Sequence, residues 1–360
     1  MNSDNWLFSP RFDLLVFGGP ATIALILVAL GPWLAPSGDL PLPMWIFAIL
    51  IVDVAHVWST IYRTYLDKAE FNRRATLYIV VPLCCYVLGF ISYSISDTLF
   101  WTLLAYVAVF HFIRQQYGWV ALYNRRAGDV DVFDQHLDRL SIYISTCFPV
   151  LWWHAHLPRK FSWFMPGDFI SGLSPVIVQI MWPIYLGTLF AYIFRQVQRW
   201  RREHVVRWGK NLVVCTTAAC WFVGIVATNT DWAFSVTNVL IHGIPYFAII
   251  WVYGRKAKYP KGSLLEGIFT KRRVLAFFAL VISLAFIEEW AWDRLIWHEN
   301  SVLFPFGEVM LSNATHALVV PLLALPQATH YVLDAWIWRT HRTQNPQLAS
   351  TMALSSTIEG

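Results

Sequence analysis

The chain has 360 residues, of which 57% are hydrophobic and only 14% charged, far below the roughly 25% charged residues of an ordinary soluble domain. That composition excludes a water-soluble fold, and no nucleic-acid partner is expected; the formal net charge of +5 matters here for its distribution along the chain. Twenty tryptophans suit helix ends lying in lipid headgroup zones, where amphipathic rings are favoured.

The N-terminal stretch carries Asp4, Arg11 and Asp13, lacks the basic start of a signal peptide, and runs into an apolar segment without a small-residue cleavage site. We read that segment as a retained helix. A bilayer span needs about 20 mostly apolar residues, and ten runs qualify: about 14–34, 43–62, 77–95, 99–120, 140–155, 175–194, 212–228, 232–253, 274–288 and 314–338. The fifth and ninth are short.

The connections alternate in charge. Those holding Arg63, Lys68, Arg73 and Arg74, then Arg125, Arg126 and Arg139, then the run from Arg195 to Lys210, then Arg255 to Arg273, all follow even-numbered helices, which places them in the cytoplasm by the positive-inside rule. The other connections carry only Arg159, Lys160 and Arg294 as positive exceptions. With Arg11 before the first helix and Arg339 and Arg342 after the last, the expectation is an all-α polytopic bundle of about ten transmembrane helices with both termini cytoplasmic. It forms one transmembrane domain over 1–342, followed by a disordered tail over 343–360. The aromatic outer segment 289–312 predicts a short helix lying in the interface. The five cysteines, Cys84, Cys85, Cys147, Cys215 and Cys220, show no Cys-x-x-Cys spacing and indicate neither disulfides nor a thiolate site.

Ionisable residues within hydrocarbon cost a few kcal/mol each on insertion scales, so they mark function by default. Here they gather on four helices: Asp53 and His56 on the second, His111 and Arg114 on the fourth, Asn238 and His242 on the eighth, His330 and Asp334 on the tenth. All four helices run from outside to inside. At about 1.5 Å per residue, Asp53, His56, His111 and His242 lie roughly 15–20 Å below the outer helix ends, with His330 deeper, so they can meet in one layer. Asp53/His56 at i,i+3 and His330/Asp334 at i,i+4 each put two candidate ligands on one face, as in helix-bundle metal sites. The carboxylates would act as ligands or would orient the imidazoles. Arg114 would neutralise a carboxylate, bind a substrate headgroup or snorkel to the cytoplasmic surface. Pro321 and Pro326 predict a break just before His330, and Pro245 a similar one after His242. His136, His204, His341 and His298 read as solvated loop residues, while His154, His156 and His316 lie towards the outer face, where the His-x-His pair is a second, peripheral metal candidate.

At these stretches the sequence resembles the membrane-bound bacterial Brp/Blh family, which cleaves beta-carotene centrally to retinal with histidine-bound iron. The likeness is carried by Asp-Val-Ala-His56, Phe110-His111-Phe112, Ile241-His242-Gly243 ahead of an aromatic run, and Pro326-Gln-Ala-Thr-His330-Tyr-Val-Leu-Asp334, about a quarter of the chain. Family members tend to carry Gly directly after the first His, where this chain has Val57, Asp four residues beyond that His, where it has Thr60, and a second His one turn into the third motif, where it has Tyr246. The resemblance implies a multi-pass protein of the bacterial inner membrane. Residues and resemblance together give the expected function: a metal-dependent membrane oxygenase or related oxidoreductase. It would hold iron, or another transition metal, on His56, His111, His242, His330, Asp53 and Asp334, with Tyr246 and Arg114 as catalytic candidates. The substrate would be a lipophilic carotenoid, isoprenoid or acyl chain drawn from the membrane lipids, and the redox partner is open. Two alternatives remain at this stage: a proton-coupled transporter or channel using the intramembrane His and Asp residues, and a membrane acyltransferase using His242 with Asn238.

Overall fold

The computed structural model describes residues 5–339 apart from Phe306 and Glu308, together with Leu348; Arg342, His341 and the expected disordered tail, Leu348 aside, fall outside them. Every regular element among the described residues is helical. Ten long helices follow in chain order: α1 (Pro10–Leu34), α2 (Leu42–Arg63), α3 (Ala75–Ile95), α4 (Asp97–Ala127), α5 (Val132–Ala155), α6 (Pro175–Glu203), α7 (Trp208–Ala227), α8 (Asp231–Lys256), α9 (Val274–Trp297) and α10 (Asn313–Ile337). Eight of them, all but α4 and α5, are long and apolar enough to cross a bilayer by length and composition, as expected of an integral membrane protein. The helices α3 and α6 turn large apolar side chains such as Leu83, Leu88, Phe190 and Ile193 outward, a surface that only lipid solvates without penalty. By contrast, α8 is almost wholly buried.

Helices α4 and α5 extend well beyond their apolar runs because polar residues continue them. At its N-terminus α5 is capped by the Asp131 side chain, which accepts from Asp134 N. It then carries Asp134 and Asp138 inward. The expected break in α10 is present: the helix divides at Ala324 into Asn313–Leu323 and Leu325–Ile337, with Pro326 in the first turn of the second piece, where a missing N–H costs nothing. Pro245, expected to kink its helix after His242, lies inside a continuous element. α8 runs through Pro245 as one helix. Nor do residues 289–312 form a separate interfacial helix among the described residues. Instead α9 continues to Trp297 through a π-helical turn, and His298 ends it in left-handed backbone (φ 57°). The Asp293 carboxylate then accepts from Glu299 N and Asn300 N, which turns the chain away from the helix axis.

The chain divides into two compact units. The boundaries cut α4 between Ala108 and Val109 and α8 between Pro245 and Tyr246. Both therefore fall inside uninterrupted helices. Residues 5–42 and 109–245 make the first unit, built on α1, the second part of α4, α5, α6, α7 and the first part of α8. Its α5–α6–α7 seam holds a buried ion network. Arg199 bridges Asp129 at 2.6 Å and Asp134 at 2.7 Å, and Lys210 reaches Asp138 at 2.9 Å and Asp129 at 3.6 Å. Asn124 closes the group onto Asp138 at 2.7 Å. Higher on the same unit, Phe148 stacks with Tyr185 at 4.6 Å.

The second unit, residues 43–108 and 246–339, contains α2, α3, the first part of α4, the last part of α8, α9 and α10. Its largest apolar cluster joins Tyr62, Phe247, Ile250, Phe269 and Phe277, with the Tyr62 hydroxyl donating to Phe277 O. Arg63, at the end of α2, is buried beneath Tyr253 at 4.0 Å. It is paired with Glu70, which also takes Arg73 and the Tyr78 hydroxyl.

Both networks set an acid limit. Burial alone would raise the Asp129 carboxyl, but Lys210, Arg199 and Arg207 outweigh it and hold it below its ordinary value; Arg63, Arg73 and Tyr78 do the same for Glu70. A depressed folded-state pKa contributes stability above the unfolded value and loses it as pH falls through the folded one. Thermal stability in detergent should therefore drop as pH falls below about 4, and Asp129→Asn should flatten that acid limb. Arg199→Met, which strands buried carboxylates, should cost about 3–5 kcal/mol, whereas the exposed Arg201→Met should stay within about 0.5 kcal/mol; thermal unfolding of the three variants checks both statements.

Candidate metal centre

The helix α2 is irregular along most of its length. It is π-helical over Ile46–Val54, α-helical over Ala55–Ser59 and 3-10 helical over Thr60–Arg63. Such π turns recur at functional positions because they re-aim the side chains that follow. Here the following residue of consequence is His56, 1% exposed. Its Nδ1 lies 3.2 Å from Val52 O; a carbonyl only accepts, so Nδ1 carries the proton and Nε2 keeps its lone pair. Asp53 Oδ1 lies 3.7 Å from the same Nδ1, beside the imidazole on its protonated side. That is the position of an orienting carboxylate.

In the second unit His56 meets His330, ring centroids 5.0 Å apart and planes at 84°. His330 Nδ1 is 2.7 Å from Thr60 Oγ1, and Thr60 Oγ1 is 3.0 Å from the Tyr246 hydroxyl. Tyr246 is in turn hydrogen-bonded to Asp334. A line of four side chains from α2, α8 and α10 thus begins at an imidazole and ends at a carboxylate. Tyr246 also sets its ring edge-on to both histidines, 5.6 Å from His56 and 5.1 Å from His330.

In the first unit His111 meets His242, again 5.0 Å apart and at 81°. Phe112 stacks flat on His242 at 3.6 Å and 6°, which fixes the plane of that ring. Behind Phe112 stands Trp163 at 5.0 Å, from the segment joining α5 to α6. Trp153, Phe161, Phe169 and Phe234 extend the aromatic wall. Gln116 ties α4 to its neighbours, donating from Nε2 to Ile241 O and accepting from Thr217.

One ring nitrogen of each of His56, His111, His242 and His330 lies within 4.8 Å of the others, and all four residues are buried. Nitrogen ligands about 2.1 Å from a common ion stand about 3.4 Å apart in a tetrahedron and about 4.2 Å apart when opposed, somewhat less than the 4.8 Å bound on these nitrogens, so the four buried imidazoles could hold a metal ion by drawing in around it. Among the described residues, this is the group of three or more His, Cys, Asp or Glu side chains with that property.

The remaining sequence candidates are placed differently. Asp53 and Asp334 lie outside the four-residue group, each attached to it through hydrogen-bonding partners or close approach. Arg114 is exposed on α4 and donates to the Tyr143 hydroxyl at 2.8 Å. His154 and His156 bond back to the carbonyls of Val150 and Trp152 and stack on Phe169 and Trp152 respectively; they and His316 are not part of a metal-holding group among the described residues. Thr60 was not a site candidate from sequence, and neither were Phe112 as a ring support or the Trp58–Glu288 pair, hydrogen-bonded at 2.6 Å. A signal for Thr60 existed. Each of the four histidines is followed four residues later by a polar side chain, Thr60, Gln115, Tyr246 and Asp334, which i,i+4 geometry puts one turn along the same helix face.

No protein-family model, no curated protein and no solved structure matches the chain.

The hydroxyl of Thr60 links two buried polar rings, so Thr60→Val should destabilise the protein by about 1–3 kcal/mol, while Thr60→Ser should retain most of the stability. Chemical or thermal unfolding in detergent distinguishes them, and equal stability of Thr60→Val and wild type would remove the linking role.

Proposed function

We propose that the protein is a membrane metalloenzyme in which His56, His111, His242 and His330 hold one transition-metal ion, with iron the first candidate. The observation that carries this reading is the convergence of four buried imidazole nitrogens. Neutral nitrogen donors without a thiolate suit iron, copper, nickel or zinc; iron, and an oxidative reaction on an apolar carotenoid, isoprenoid or acyl chain from the bilayer, follow from the likeness to the Brp/Blh family. When bound, such a metal supplies redox and Lewis-acid chemistry that protein side chains alone lack.

The chain's own residues have distinct tasks in this scheme. The carbonyl of Val52 holds a proton on His56 Nδ1 and leaves Nε2 as the donor. Thr60, Tyr246 and Asp334 hold the imidazole of His330 in one orientation, and the carboxylate at the end of that line favours a proton on His330 Nδ1. Phe112 and the aromatic residues behind it keep water from the His111–His242 side, which would protect a reactive intermediate. Tyr246 presents its hydroxyl beside the ligand set, the position expected of a residue lining a reaction pocket. Arg114 sits on the outer face of α4, where a polar substrate end in the lipid phase would reach it.

Protein purified in detergent after iron-replete expression should contain about one transition-metal ion per chain by elemental mass spectrometry. Alanine at any one of His56, His111, His242 or His330 should reduce that content severalfold, and Arg114→Ala and His136→Ala should not. Metal-free wild-type protein, or content indifferent to all four histidines, would sink the reading. Thr60→Val and Asp334→Asn should each weaken metal affinity about 10–100-fold, the usual effect of removing an orienting partner.

A further inference from the structure

Three of the four polar residues that follow the histidines at i+4 are hydrogen-bonded to one another or to a histidine; the fourth, Gln115, is different. It is 7% exposed, and neither its Oε1 nor its Nε2 has a hydrogen-bond partner. One turn further along α4, Trp119 is 3% exposed and its Nε1 also lacks an acceptor, although its ring packs edge-on against Phe17 at 5.3 Å. The adjacent Gln116, on the next face, has both ends of its amide satisfied. Leaving a buried amide or indole N–H dry is unfavourable, and leucine at position 115 would serve a dry helix better. Gly118, the i+3 neighbour of Gln115, is half-buried, and an added Cβ there would meet no atom within 4 Å. The helix surface beside Gln115 therefore has room for a small group.

We infer that Gln115 and Trp119 form a binding site for a neutral hydroxyl group, entered past Gly118. The chemistry follows from the donors and acceptor present. Gln115 Nε2 and Trp119 Nε1 donate, and Gln115 Oε1 accepts. An anion would leave Oε1 unmet and a cation would leave both N–H groups unmet, whereas a hydroxyl is the smallest group that does both. Its source is either water or the head of a long-chain alcohol. The site stands on α4 alone and does not depend on a metal being bound to the histidines.

The test is X-ray hydroxyl-radical footprinting of delipidated protein in detergent, which oxidises buried aromatic residues that touch bound water. Trp232 is the internal control, as it is 4% exposed but its Nε1 donates to Leu27 O at 2.8 Å. Trp119 should be oxidised at least tenfold faster than Trp232, and Gln115→Leu should lower that rate at least fivefold. Gly118→Leu, which removes a helix-weakening glycine and so keeps the fold, should do the same by filling the entrance. Added hexadecan-1-ol that protects Trp119, with hexadecane having no effect, identifies an alcohol head as the occupant. Lack of protection by either identifies water. Equal, slow oxidation of Trp119 and Trp232 would overturn the inference, as would protection by hexadecane equal to that by the alcohol.

Discussion

Polar groups withdrawn from water set the terms for this fold. In a chain whose outer surface is apolar, contacts between leucines and phenylalanines are nearly interchangeable, since lipid solvates them as well as another helix does. A buried imidazole, amide or carboxylate cannot be exchanged in that way, because each must find a partner inside the protein. The four histidines are the sharpest case. His56 uses a carbonyl of its own helix, left accessible by the π-helical run before it; His330 uses a hydroxyl from α2; His242 is held by a flat stack on Phe112. The break at Ala324 has the same logic. It starts a new helical piece at Leu325, and that piece carries both His330 and Asp334.

How much of this the sequence disclosed follows from what bilayer burial writes into composition. Span length is a hard constraint, so eight of the ten expected spans were legible as apolar runs long enough to cross a bilayer, and the four histidines were legible as ionisable residues interrupting apolar stretches. Helix ends were not. α4 and α5 continue for several residues past their apolar stretches because Asn124, Asp134 and Asp138 are buried against Arg199 and Lys210, and a hydropathy scan reads such residues as loop. Pro321 and Pro326 announced an irregularity, and α10 divides at Ala324, whereas the helix assignment of α8 continues through Pro245. A proline removes one donor, and a helix flanked by neighbours tolerates that loss when packing holds it. Thr60 passed unnoticed because a hydroxyl barely alters hydropathy, although its spacing from His56 matched that of Asp334 from His330.

Thr60 and Tyr246 acquire more meaning together than separately. They are hydrogen-bonded to each other across α2 and α8; Thr60 carries the link on to His330 and Tyr246 carries it to Asp334, so the loss of either hydroxyl would leave buried polar groups on both sides without their match.

Charge balance then connects the four imidazoles to the two aspartates. Neutral histidines bring no charge, so under the proposed reading a divalent ion among them would sit in a low-dielectric surrounding with its full charge uncompensated by its ligands, a costly state. Asp53, beside His56, and Asp334, reached from His330 through Thr60 and Tyr246, supply two carboxylates behind the histidine pair of the second unit. Carboxylates held there would offset the charge of a divalent ion without occupying its coordination positions.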